Sequence, residues 1–135
     1  MIPKFRAWDK ETQTMLDVSL IDFKKSVLVG EHWDFGETNF INFNDIHLMQ
    51  STGLFDKNGK EIFEGDIITN GQNVMCMKKH NTLGFYIEEK EKVKFIADCA
   101  DLEEFEADAK EVADNIEIIG NIYKNPELLQ EQNKE

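Results

Sequence analysis

Asp56-Lys57-Asn58-Gly59, set between two short apolar runs, constrains the fold of this chain more than any other stretch. An aspartate that opens a turn accepts hydrogen bonds from its own backbone ahead, and Asn-Gly tolerates the positive φ of a tight reversal. With Leu54-Phe55 before it and Ile62-Phe63 after it, the segment predicts a β-hairpin. Glu64-Gly65-Asp66 is the next turn signal, with Gly65 expected at positive φ and its flanking acids solvated. It leads into Ile67-Ile68-Thr69, and Asn70-Gly71 then precedes Val74-Met75-Cys76-Met77.

The same rhythm of short runs and turns extends in both directions. Phe5-Arg6-Ala7-Trp8, then Asp9-Lys10, then Thr12-Gln13-Thr14-Met15 suggest an opening hairpin. Val27-Leu28-Val29 and Phe40-Ile41-Asn42-Phe43 are β-branched and aromatic runs. Phe85-Tyr86-Ile87 and Val93-Lys94-Phe95-Ile96 flank the charged bend Glu88-Glu89-Lys90-Glu91, and Ile116 to Tyr123 reads as a closing strand.

One segment departs from this rhythm. Leu102, Phe105, Ala109, Val112 and Ala113 fall at helical spacing, which predicts a helix over Asp101–Asp114. Asp101 and Glu104 form a capping-box pattern, and Glu103, Glu106, Asp108 and Glu111 are expected to face water. Pro126 suits the first turn of a short terminal helix, Glu127-Leu128-Leu129-Gln130. The fold class expected is therefore α+β, predominantly β: a small antiparallel SH3-like barrel or curled sheet with one acidic helix in the C-terminal third. With 135 residues, a single domain over 1–130 and a frayed tail at 131–135 are expected.

Charge narrows the partners. The formal net charge is −12, and Arg6 is the only arginine. Nucleic-acid binding draws on Lys and Arg to neutralise phosphates, so no direct nucleic-acid partner is expected, the lysines at 78, 79, 90, 92 and 94 notwithstanding. No apolar run approaches the roughly 18 residues of a membrane span, so no membrane partner is expected. Met1 to Arg6 does not read as a secretory signal, and Cys76 and Cys99 do not form a Cys-x-x-Cys pair; the expected location is the cytoplasm.

The sequence holds several groupings with chemical potential, and each has a plainer reading. His32, His47 and His80 are too dispersed for a zinc motif. Cys76 lies in an apolar run and reads as a small buried hydrophobe. Asp45, His47 and Ser51 spell a triad on paper, yet no Gly-x-Ser-x-Gly elbow carries the serine. Glu64 and Asp66 are read as turn residues. The Asp56 turn has Ile67 where a calcium loop needs its twelfth-position glutamate. Neither phosphate-cradling glycine motif occurs. The aromatic residues read as core, with Trp8 and Trp33 the two of interest. No catalytic, cofactor-binding or metal residues are assigned, and no cofactor is expected.

Three segments carry a family likeness. Ile2 to Asp9, Leu48 to Ile67 and Ile118 to Leu129 resemble, in order, the signatures of the YopX family of phage and prophage proteins. The resemblance implies a β-rich fold and expression in the cytoplasm of a bacterial host, and it supplies no catalytic or binding residues. Residues 17–44 and 72–115 match it poorly and are expected to set differences of partner between members. Gly53, Gly59, Gly65 and Gly120 punctuate the shared segments as turn or bulge positions, which marks a folding framework. Arg6 is expected to pair with an acid such as Asp66, and Gln50 and Asn121 to satisfy open backbone groups. The leading expectation is a non-enzymatic binding or accessory protein acting on a host or phage protein. An acidic mimic of DNA, a self-assembling homo-oligomer and an enzyme built from scattered acids and histidines are the alternatives.

Overall fold

The structure is a computed structural model and describes residues 4–34, 36, 38–96 and 102–130. The expected tail at 131–135, Cys99 and the capping residue Asp101 lie outside the described residues. The chain is mostly β, with two antiparallel sheets and one substantial helix. It divides into two compact units, residues 1–51 and 52–135.

In the first unit β1 (Phe5–Asp9), β2 (Thr14–Asp22), β3 (Val27–His32) and β4 (Thr38–Asn42) follow one another as antiparallel neighbours. A 3-10 turn at Phe43–Asp45 then leads into β5 (Ile46–Phe55), whose first half pairs with β1. Phe43, expected in a strand, thus sits in the turn. The opening hairpin closes with Gln13 in the left-handed region at φ 58° and its N–H bonded to the Asp9 carbonyl at 2.8 Å. Ser26 adopts φ 56° at the next reversal, where the Asp22 carboxylate accepts the Lys25 N–H at 3.0 Å.

Ala7, Leu16, Leu28 and Ile46 form the core of this unit, with Val18, Ile21, Ile41, Phe43 and Leu48 against it. A register shift in β2 decides which side chains reach that core. Val18 stands opposite Gly30 but Leu20 stands opposite Val29, so Ser19 is the extra residue of a β-bulge. Regular alternation would place Leu16, Val18 and Leu20 on one face. The bulge turns Leu20 outward and directs Ile21 inward.

In the second unit β6 (Glu61–Phe63) lies beside β5, and the expected Asp56 hairpin joins them. The second sheet has the order β10-β9-β8-β7-β11, from β7 (Asp66–Thr69), β8 (Val74–His80), β9 (Gly84–Glu89), β10 (Lys92–Phe95) and β11 (Glu117–Asn121). Helix α1 (Leu102–Asn115) precedes β11, and the short α2 (Glu127–Gln130) follows it. Leu54, Ile62, Ile68, Met75, Met77, Ile96, Val112 and Ile116 form the core, with Phe105 and Ala109 of α1 packed on it.

Neither sheet closes: β4 and β6 end the first and β10 and β11 end the second. Of the expected SH3-like barrel or curled sheet, the antiparallel, mostly β arrangement with one helix is present, as two open sheets and not as a closed barrel. In the second sheet α1 supplies the covering layer over the apolar face, so burial does not require closure. The helix itself departs from expectation at Leu102, which is 61% exposed, and at Ala113, also exposed. Only Phe105, Ala109 and Val112 of the expected apolar set meet the core.

Candidate functional site

The second unit contains a cleft of about 520 Å³ between the second sheet and α1. Met75, Ile87, Ile96, Val112 and Ile116 provide its apolar lining, projecting from β8, β9, the end of β10, α1 and the start of β11. Glu89 of β9 and Lys92, Val93 and Lys94 of β10 line it from the sheet, and Asp108 and Glu111 line it from α1. Asn70, Gln72 and Asn115 add neutral amides. The Lys94 ammonium lies 3.6 Å from Glu111 Oε2, an exposed pair that runs from sheet to helix. Glu111 is exposed, as expected, and also borders this cleft, while Asp108, expected to face water, is half-buried beside it. The arrangement suits an apolar group carrying a polar or charged end, and the volume falls in the range of small-ligand sites.

The acidic helix does not present one uninterrupted carboxylate face. Glu111 has Lys94 beside it, and Lys110 Nζ is 3.4 Å from Asp114 Oδ2. The lysines are likewise engaged: Lys78 bonds Glu88 at 2.9 Å, which raises the lysine pKa, and Lys79 Nζ stands 6.0 Å from the Phe85 ring centre.

The triad spelled by Asp45, His47 and Ser51 is not assembled. His47 and Ser51 lie four residues apart on β5, about 13 Å along an extended strand and far beyond hydrogen-bond reach. Partial desolvation and the Lys10 ammonium hold His47 below its ordinary pKa. Burial pushes the Cys76 thiol up to about 11, which leaves it protonated and inert at neutral pH. His80 serves a turn, its Nδ1 accepting the N–H groups of Thr82 and Leu83 at 3.1 Å each. Among the described residues no group of three or more His, Cys, Asp or Glu is placed to hold a metal ion, and no helix is long and apolar enough to cross a membrane.

Two of the polar residues have stronger structural duties than their sequence suggests. Asp66, expected to be solvated, is 1% exposed and accepts the Phe63 N–H at 2.8 Å, while Gly65 takes φ 87° as expected. His32 is buried, its Nε2 2.9 Å from Asp9 Oδ2. Asn121 performs the backbone duty foreseen for it, accepting the Tyr123 and Lys124 N–H groups at 3.0 and 2.9 Å. A side chain on Gly120 would place its Cβ 2.6 Å from Asn125 Oδ1, so the close approach of these two residues requires glycine. The register of β11 against β7 shifts there, which is the bulge expected at this glycine. Arg6 is buried, as is Trp8, and Gln50 is half-buried. Trp33 is 53% exposed and donates its indole N–H to Asp17 at 2.8 Å; with Phe23 and Phe40 also exposed, the aromatic residues are not all core.

The cleft was not legible beforehand. Its lining comes from five separate segments, and the weak-matching stretch at 72–115 was its only signal, since it supplies most of the walls.

A crystal structure of protein EF1440 from Enterococcus faecalis is similar to this chain at 30% identity and a TM-score of 0.65, over 96% of this chain and 99% of that one. No curated protein matches the sequence. The YopX protein family model matches residues 4–130, nearly the whole length, and the chain belongs to that family.

Proposed function

We propose that this protein is a non-enzymatic binding module of the bacterial cytoplasm, and that the cleft between the second sheet and α1 receives an apolar segment of a host or phage protein. The observation that carries the reading is the cleft's composition: an apolar lining flanked by Lys92 and Lys94 and by the carboxylates of Glu89, Asp108 and Glu111. Such a site gains affinity from desolvation of the lining and orientation from the charged walls. The polar residues that a catalytic reading would enlist are engaged in holding backbone: Asp9, Asp56, Asp66, His80 and Asn121 all accept main-chain N–H groups.

The test is capture from bacterial lysate with the tagged chain and with Val93→Glu, washed at low and high salt. Val93 is 50% exposed, so the substitution adds charge to the cleft wall without emptying the core. A stoichiometric partner that survives high salt on the native chain and is lost from the variant is the expected outcome. Equal retention by both chains, or no partner at either salt, overturns the reading. A nucleic-acid-handling partner released by salt would instead favour an acidic mimic of DNA.

A further inference from the structure

The negative charge of the chain is not spread evenly. Residues 52–135 hold nineteen Asp and Glu against ten Lys, so the unit that contains the cleft carries a formal −9 of the chain's −12. α1 concentrates it, with six carboxylates and one lysine in 14 residues. Spacing sorts those carboxylates between two faces of the helix. Glu104, Asp108 and Glu111 recur at intervals of four and three, with Asn115 four further on, so they form one stripe. Asp108, Glu111 and Asn115 of that stripe line the cleft. Glu103 and Glu106 fall on the other side of α1, are exposed and do not line it.

Each lysine at the cleft has a carboxylate beside it. Lys94 Nζ lies 3.6 Å from Glu111 Oε2, and Lys92 stands opposite Glu89 in the register of β9 and β10. Asp108 is then in excess, three carboxylates against two lysines. Both members of the Lys94–Glu111 pair are exposed, so water and salt weaken their attraction and an incoming cation competes readily for Glu111. The helical wall from Asp108 to Asn115 is about 10 Å long, a match for about three residues of extended chain. Between these charges lies the apolar lining, with Ile87 from the sheet and Val112 from the helix.

We propose that the segment received by the cleft is cationic and amphipathic: one or two apolar side chains enter the lining, and flanking Lys or Arg side chains meet Glu89, Asp108 and Glu111. The inference rests on the cleft reading above and adds the partner's chemistry to it. Charge selects this occupant. The field of the unit attracts a basic segment and repels an acidic one, a second copy of this chain included. Desolvation of the lining favours any apolar segment alike, so the carboxylates supply the preference among them. A Lys or Arg side chain also adds methylenes that extend the apolar contact while its charged head stays in water.

The experiment is fluorescence anisotropy of the full chain with three labelled synthetic peptides that share one leucine pattern and carry lysine, glutamine or glutamate at every polar position. At low salt the lysine peptide should bind about tenfold more tightly than the glutamine peptide, and the glutamate peptide least tightly of all. High salt should remove that difference and leave the apolar contact. Glu89→Gln with Glu111→Gln should weaken the lysine peptide about tenfold, whereas Glu103→Gln with Glu106→Gln, the same change of net charge on the other side of α1, should not. Gln72 is exposed and lines the cleft, so Gln72→Glu and Gln72→Lys should move the affinity in opposite directions with unchanged thermal melts. Equal weakening by the two double variants overturns the proposal, because the attraction is then diffuse. Equal binding of the lysine and glutamine peptides overturns it and leaves the cleft as an apolar receptor, which release of the uncharged glutamine peptide by Val93→Glu checks separately. Binding of none of the three peptides overturns it as well.

Discussion

Each unit is organised around an aspartate that begins a turn, and the two differ in what the second carboxylate oxygen reaches. Asp9 Oδ1 accepts the N–H groups of Glu11 and Thr12 at 2.9 and 3.3 Å, and Asp56 Oδ1 accepts those of Asn58 and Lys60 at 2.9 Å each. Up to this point the device is the same Asx-type turn. Asp9 Oδ2 then meets a side chain, His32, at 2.9 Å, whereas Asp56 Oδ2 meets a backbone N–H, that of Ile118, 62 residues away. An imidazole has another ring nitrogen and rotatable bonds with which to adjust. A strand's N–H has neither, and if its acceptor is lost within a part-buried site it stays unsatisfied. The lesson is that similar local turns carry different weight according to the group at their far end.

The largest expected effect follows directly. Asp56→Ala removes three hydrogen bonds to a carboxylate and releases β11 from the turn, so it should cost about 3 kcal/mol, read as a lower midpoint in urea unfolding. Asp9→Ala should cost less, about 2 kcal/mol, with His32→Ala recovering part of the loss when the two are combined. If Asp9→Ala costs as much as Asp56→Ala, the distinction between side-chain and backbone partners fails. If the combination is strictly additive, the Asp9–His32 contact is not an energetic unit.

A smaller effect lies in the acid limb of the stability curve. Burial pulls the Asp56 carboxyl upward, but hydrogen bonds from the Ile118, Lys60 and Asn58 backbone outweigh it and hold the group below its ordinary 3.8. Asp9 is lowered in the same way, burial being outweighed by His32 and by the Thr12 and Glu11 backbone. A depressed carboxylate contributes stability above its unfolded pKa and loses it as pH falls through the folded value. Stability should therefore decline below about pH 4, where unfolded carboxyls begin to bind protons. Asp56→Asn should flatten that decline, and an unchanged acid slope in urea titrations would show that Asp56 does not drive it.

The local half of this comparison was legible in the sequence. Asp56-Lys57-Asn58-Gly59 announces both its turn and its side-chain caps, and Gly59 takes φ 80° as its type requires. The closing strand was equally plain in its first part, but it ends at Asn121, where the expected strand runs on to Tyr123 and the chain instead turns. His32 gave no such notice. Its partner stands 23 positions earlier, and the two meet only because β1, β2 and β3 stack in order. The cleft was hidden for the same reason: Met75, Ile87 and Val112 read individually as core residues, and their sequence says nothing of the gap left between sheet and helix.

Residue type and spacing by themselves determined the Asp56 and Gly65 turns, most of the strands and the place of the helix. They did so because hairpins, caps and amphipathic periods are local physics. The tertiary structure alone decided that the sheets stay open, that Asp66 is buried, and that the bulge at Ser19 turns Leu20 outward. Each of these depends on register and on which layer covers which face, and one residue of register exchanges the two faces of a strand.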